Sequence, residues 1–507
     1  MSFATEVKNQ YQNEKENPNP NPNPGSPLKK RAPRWSDLWL KHTKSKPLDQ
    51  MVVAAAAAMQ LHSLTSPRKS NSNTLIPNFS IIDRTLLLSD VILLKILSML
   101  PDSDSQRNSN SLVCKRWLNL QGRLVRSIRI LDWNFVLSGR MIHRFPNLNH
   151  VDLIPGCLIL AQSSKSSNIL MSGNVLSMGI DSGSSPNWFN CEENMLPVEV
   201  IDNGLTALAG ACPNLRRVQV IGASEMGLLS VAEECPTLME LELQRCSDNV
   251  LRGIAACGNL QILKLVGNVE GFYGSVVSDI GLTILAQGCK RLVKLELCGC
   301  EGSFDGIKAI GKCCQMLEEL TLCDHRMDDG WLAAVSYCEN LKTLRLQSCK
   351  RIDLNLGVDE YLGSFPALQR LHLQKCQLRD KKSVSALFSV CRAAREIIIQ
   401  DCWGLDNGMF GFATVCRCVK LLHLEGCSLL TTQGLDSVIH SWKELQSLRV
   451  VSCKNIKDTE ITLSLATLFT TLKELKWRPD TKSLLQSSLV AISIGKKGGK
   501  FFKRTLT

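Results

Sequence analysis

Residues 235–246 read "CPTLMELELQRC", and nearly the same line returns as "CKRLVKLELCGC" at 289–300, "CENLKTLRLQSC" at 338–349 and "CRCVKLLHLEGC" at 416–427. "FPALQRLHLQKC" at 365–376 keeps the pattern with Phe in place of the first Cys. In "LxxLxL" the last two leucines alternate, as on a strand whose one face is buried. Copies begin at Cys212, Cys235, Cys257, Cys289, Cys314, Cys338, Phe365, Cys391, Cys416, Trp442 and Phe469, spaced by 23, 22, 32, 25, 24, 27, 26, 25, 26 and 27 residues. Between them the period changes. In "GLTALAGAC", Leu205, Leu208, Ala209 and Cys212 fall at i, i+3, i+4 and i+7, the spacing of a helix face. One strand and one helix per unit of about 20–29 residues define a leucine-rich repeat. Each unit leaves apolar edges that only its neighbours can cover, so the units must stack into a solenoid.

The expected fold class is therefore α/β, a leucine-rich-repeat horseshoe. Its first unit is placed at 140–158 ("FPNLNHVDLIPGC" from 145), and the main array at 199–480. A Ser/Gly/Asn-rich insertion at 159–198 separates them, and "NVEGFYGSVV" at 268–277 lengthens one unit as a loop. The array resembles the cysteine-containing class of these repeats, in which the strand ends in Cys and the next helix opens on a pattern like D-x-G-L. Asp202-Asn203-Gly204-Leu205 and Asp279-Ile280-Gly281-Leu282 match it, with an approximate copy at Asp329-Gly330-Trp331-Leu332. The final unit, "LKELKW", lacks its Cys, as a capping repeat would.

The chain has 507 residues, 44% hydrophobic but only 5% aromatic, which suits a repetitive aliphatic core. Its net charge of +12 lies at the ends. Residues 1–70 carry 11 Lys/Arg against 5 Asp/Glu and residues 481–507 carry 6 against none, so residues 71–480 sum to zero. A neutral body with basic tails argues against a groove-binding nucleic-acid fold. Residues 1–80 contain "NPNPNPNPGSP", in which alternate prolines exclude helix and sheet, so a disordered basic arm is expected there. The cluster Lys29, Lys30, Arg31 and Arg34 is either a nuclear-import signal or a solvated linker. No stretch is long and apolar enough for a membrane span. With 22 cysteines and no secretory pattern at the start, reduced thiols in the nucleus or cytoplasm are expected.

Cysteine pairs such as Cys298/Cys300, Cys313/Cys314 and Cys416/Cys418 lack the C-x-x-C spacing and partner of a zinc finger. Most cysteines recur at repeat positions where a small side chain packs beneath a turn. No nucleophile elbow, phosphate loop or H-E-x-x-H occurs, and "GKKGGK" at 495–500 lacks the strand and hydroxyl of a P-loop. No cofactor, metal or catalytic role is expected. The side chains between the strand leucines should face a concave surface that grips another macromolecule. Positive groups gather toward its later repeats at Arg345, Arg370, His372, His423 and Arg449, where an acidic or phosphorylated segment could dock.

Ahead of the array, "LSDVILLKILSMLP" at 88–101 is apolar almost all round and ends at a proline. "LVCKRW" follows at 112–117. The segment 84–125 resembles an F-box, roughly L-P-x-E-[IV]-L-x-x-I-[LF]-x-x-L-P followed by L-V-C-[KR]-x-W. Leu88, Ile92, Leu93, Ile96, Leu97, Leu100, Pro101, Leu112, Val113, Cys114, Lys115 and Trp117 match. Ser89 and Val91 depart from the pattern's proline and acid, although serine still caps a helix. The polar run "DSDSQRNSNS" at 102–111 replaces a partly apolar helix and is expected to be a loop.

An F-box followed by leucine-rich repeats resembles the F-box/LRR proteins, above all the plant members of that class. The resemblance implies a non-enzymatic substrate receptor of an SCF-type ubiquitin ligase. Leu88, Ile92, Leu93, Ile96, Leu97, Leu100, Pro101, Leu112, Val113 and Trp117 would then contact a Skp-family adaptor, which leads to cullin and RING subunits, while the repeats hold a protein substrate. Two other readings stay open: a repeat scaffold whose leading helices only cap the array, and nucleic-acid binding through the basic arms.

Overall fold

The computed structural model describes residues 84–101, 103–158, 170–171, 195–267, 277–327, 330–353 and 367–480. The arm over 1–80, the basic cluster at 29–34, the tail 481–507, Asp329 of the approximate D-x-G-L copy, most of the insertion at 159–198 and nearly all of the 268–277 loop lie outside the described residues.

Every repeat start read from the sequence is followed, five residues on, by the first residue of a strand. The strands are β1 (Ser127–Ile130), β2 (His150–Asp152), β3 (Arg217–Ile221), β4 (Glu240–Gln244), β5 (Ile262–Val266), β6 (Lys294–Cys298) and β7 (Glu319–Cys323). They continue as β8 (Thr343–Gln347), β9 (Arg370–Gln374), β10 (Glu396–Gln400), β11 (Leu421–Glu425), β12 (Ser447–Val451) and β13 (Glu474–Arg478). All thirteen pair in chain order and in parallel. A short strand, Leu170–Met171, lies antiparallel on β1 and completes a 14-stranded sheet. Helices such as Val198–Ala211, Asp279–Gly288 and Thr432–Ile439 return the chain between strands. The molecule is an α/β leucine-rich-repeat solenoid, since parallel neighbours can be joined only by a crossover that leaves the sheet and returns.

β1 is an addition to the expected layout, because the array starts one turn before 140–158. Its buried residues are Ile128 and Ile130, and Asp132-Trp133 follows where later repeats carry cysteine, so the repeat pattern does not reach it. Trp133 makes the join. It is buried, its Nε1 donates to the Val200 carbonyl at 2.9 Å, and helix Val198–Ala211 approaches so closely that a Cβ on Gly204 would meet the indole at 2.4 Å.

Strand ends are governed by one backbone position. Gly222, Arg245, Gly299, Asp324, Ser348, Lys375, Asp401, Gly426 and Ser452, each directly after a strand, have φ between 42° and 71°. This left-handed residue turns the chain off the sheet and drops the next side chain beneath it. In most repeats that side chain is Cys. Cys349 Sγ donates to the Leu322 carbonyl at 3.5 Å and Cys376 Sγ to Leu346 at 3.2 Å, stitching one repeat to the one before. Cysteines at the helix ends do likewise, as Cys314 Sγ does to the Cys289 carbonyl at 3.4 Å. Burial pushes the thiols of Cys257, Cys300, Cys314 and Cys338 up to about 12, so they stay protonated donors.

One apolar core runs from Val125 to Trp477. Trp477 closes the far end, its ring tilted against that of Phe469 with centroids 4.9 Å apart, and its Nε1 donating to Asp458 Oδ1 at 2.7 Å.

Candidate docking surfaces

Among the described residues, a short 3-10 helix (Arg84–Leu87) and three α-helices precede the solenoid: α1 (Asp90–Met99), α2 (Asp104–Val113) and α3 (Lys115–Leu124). Ser89 caps α1, its Oγ accepting from the Ile92 amide at 3.4 Å, so the serine does the capping expected of it. Cys114 caps α3 through its sulfur, which accepts from the Trp117 amide at 3.4 Å. Arg116 ties the two ends together. Its guanidinium pairs with Asp90 at 2.8 Å and donates to the Leu88 carbonyl at 2.5 Å.

The run expected as a loop is helix α2, which corrects the sequence reading. Ser103 caps it, with Oγ accepting from the Gln106 amide at 3.3 Å. Gln106 Nε2 then donates to Asn110 Oδ1 at 3.0 Å, and Asn110 Nδ2 to Gln121 Oε1 of α3 at 3.4 Å. Asn110 and Gln121 are both buried, so α2 docks through a polar seam that no count of apolar residues would reveal.

The residues matched to the F-box pattern divide into two sets. Leu93 and Leu97 are buried with Leu120, and Leu88, Leu100 and Trp117 pack half-buried around them. This small core is separate from that of the solenoid. Leu93 and Leu97 hold the helices together and have no surface left to offer. Ile92 (49% exposed), Ile96 (41%), Leu112 (79%) and Val113 (51%) face outward with Val91 and Met99, and Pro101 is exposed after α1. The helical unit satisfies its own core and still presents an apolar face.

The second surface is the open face of the sheet. Register sets three rows of outward side chains: the first, third and fifth residues of each strand. Arg345 and His372 are neighbours in the middle row, as are His423 and Arg449, while Arg370 lies in the first row. The arginines do not form a free basic patch. Arg345 Nε lies 3.0 Å from Glu319, Arg449 Nη2 2.9 Å from Glu474, and Arg370 3.9 Å from Glu396. His372 Nε2 hydrogen-bonds Gln400 Oε1 at 2.9 Å, and His423 Nε2 lies 3.5 Å from Glu425. Burial lowers the His423 pKa, which favours its neutral form. The face is a mosaic of paired charges, because carboxylates some 25 residues away in sequence fall on the next strand. At its centre a cavity of about 100 Å³ is lined by Lys294, Glu296, Glu319, Thr321, Arg345 and His372, among others. Thr321 is buried there with its Oγ1 lacking a hydrogen-bond partner.

The fold and these two faces define a leucine-rich-repeat protein with a helical unit at its N-terminal side. No protein-family model matches the chain. It is 27% identical over 258 residues to a transport inhibitor response 1-like protein of Oryza sativa subsp. japonica, covering 44% of this chain and 42% of that one. It is 24% identical over 389 residues to GRR1-like protein 1 of Arabidopsis thaliana, covering 71% of this chain and 57% of that one. The chain thus spans about half the length of the curated relatives it matches. Among solved structures it aligns with the mouse RP105/MD-1 complex at 19% identity and TM-score 0.39, over 67% of this chain and 47% of that one. That likeness is too loose to add to what the strand order shows.

Proposed function

We propose that this protein is the substrate-recognition subunit of an SCF-type ubiquitin ligase, acting in the nucleus or cytoplasm. Its three helices dock on a Skp-family adaptor, and the open sheet face holds a protein substrate. The observation that carries the reading is the apolar face of α1 and α2, which stays exposed although the helices already have a closed core. Covering each such aliphatic side chain is worth on the order of 1–2 kcal/mol. That is a gain the chain itself does not collect. The "LVCKRW" motif and the two plant relatives, both of which resemble this chain only distantly, support the same reading.

The mechanism is tethering. No residue of this chain makes or breaks a bond. The adaptor brings cullin and RING subunits, and holding a substrate on the same assembly raises its effective concentration beside the ubiquitin donor. The test is capture of a Skp-family adaptor by the purified chain. Ile96→Asp combined with Val113→Asp should weaken capture at least tenfold while the melting temperature of the solenoid is unchanged. Undiminished capture overturns the proposal and leaves a repeat scaffold without a ligase role.

A further inference from the structure

The fifth-residue row of the open sheet face carries glutamine at Gln244, Gln347, Gln374 and Gln400, but cysteine on two adjacent strands, Cys298 of β6 and Cys323 of β7. The two are register partners. Unlike the repeat cysteines, whose buried thiols donate to backbone carbonyls, this pair is only half-buried and meets side-chain oxygens. Cys298 Sγ lies 3.7 Å from Glu296 Oε1, and Cys323 Sγ 3.6 Å from Gln347 Oε1. The two sulfurs and a Glu296 oxygen all lie within 4.8 Å of one another.

From this cluster we infer a metal site: Cys298, Cys323 and Glu296 bind one Zn²⁺, with a fourth position open to the sheet face. Two thiolates select a soft or borderline ion and exclude Mg²⁺ and Ca²⁺, while the carboxylate disfavours Cu(I). A tetrahedral Zn²⁺ with Zn–S of about 2.3 Å places its sulfurs roughly 3.8 Å apart. Small side-chain rotations on a fixed pair of strands reach that geometry. Binding is balanced by the release of two thiol protons, one from each cysteine, with no change of oxidation state. It also draws Glu296 away from Lys264, whose ammonium lies 3.5 Å from both Glu296 and Glu242 and keeps Glu242 as its partner. Three protein ligands with an open position is the arrangement of a zinc that accepts a further ligand, not one that only braces the fold. The sequence spacing hid it, because its cysteines lie 25 residues apart on different strands.

The experiment is a Co²⁺ titration of the reduced full-length chain, read by the thiolate-to-cobalt charge-transfer band and reversed by adding Zn²⁺. The expected result is one Co²⁺ per chain, loss of the band in the Cys298→Ser/Cys323→Ser variant, and at least tenfold weaker binding in Glu296→Gln. A band that persists in the double variant overturns the site. In the unsubstituted protein, Zn²⁺ should shield Cys298 and Cys323 from iodoacetamide while the exposed Cys114 and Cys418 react at their usual rate. Equal alkylation of all four with and without Zn²⁺, or a Cys298–Cys323 disulfide forming at the same rate whether or not Zn²⁺ is present, also overturns it.

Discussion

His325 stands where neighbouring repeats carry cysteine, directly after the left-handed residue Asp324. The ring is buried, and it packs edge-on to Trp331 at 5.2 Å. Burial lowers its pKa from 6.5 to about 4. The native state therefore binds fewer protons than the unfolded chain between those values. The contribution to stability is complete above pH 6.5 and is lost as pH falls toward 4. Its upper bound is about 3–4 kcal/mol, at roughly 1.4 kcal/mol for each pH unit separating the two values. Thermal melts at pH 7.5 and pH 5 should show a smaller fall in melting temperature for His325→Cys than for the native chain. Equal falls would remove His325 from the acid sensitivity. The five basic positions on the sheet face could be read from the sequence, but not their pairing. Arg345, Arg370 and Arg449 were legible as outward strand residues, whereas their carboxylate partners become neighbours only when the strands align.

At the scale of elements, the D-x-G-L aspartates Asp202 and Asp279 brace the next repeat's helix. Asp279 accepts from the Ser303 amide at 2.8 Å, from the Ser303 hydroxyl and from the Gly306 amide at 2.9 Å. Asp248 grips Ser278 in the same way, while Asn407 accepts from the Thr431 amide at 3.0 Å and donates through Nδ2 to the Thr431 hydroxyl oxygen at 2.9 Å. The glycine is required because a Cβ on Gly306 would sit 2.3 Å from the Asp279 oxygen. Asp279→Ala should cost about 1–2 kcal/mol, the range for a lost helix cap, and Asp279→Asn much less, measured by urea unfolding. The strands were legible because their leucines repeat with an unbroken five-residue lead. Helix α2 was not, because serine and asparagine favour turns in isolation. Only the Asn110–Gln121 seam, closed by α3, makes the helix their better choice. The division of α1 into inner Leu93 and Leu97 and outer Ile92 and Ile96 was hidden for the opposite reason: a helix apolar all round gives no sign of which face its neighbours will take.

At the scale of the molecule, the helical unit and the solenoid share no buried apolar cluster among the described residues, and α3 meets the first repeats through polar contacts, Asn147 Nδ2 donating to the Arg123 carbonyl at 2.8 Å. Units that touch only their neighbours lose structure locally, so damage should stay near where it is made. Leu97→Ala removes the centre of the small core and should cost about 2–5 kcal/mol within it, enough to open α1–α3. Trp477→Ala uncaps the opposite end. Hydrogen exchange followed by mass spectrometry should show faster exchange confined to about residues 84–124 in the first variant and to the last repeats, beyond about residue 442, in the second, with β4–β9 unchanged in both. Faster exchange spreading through β4–β9 from either end would mean that the array is one cooperative body. The two docking faces could then be coupled through it. Confinement would mean that adaptor and substrate are gripped by parts that fold and fail separately, which is what a tether requires: one hand can let go without loosening the other.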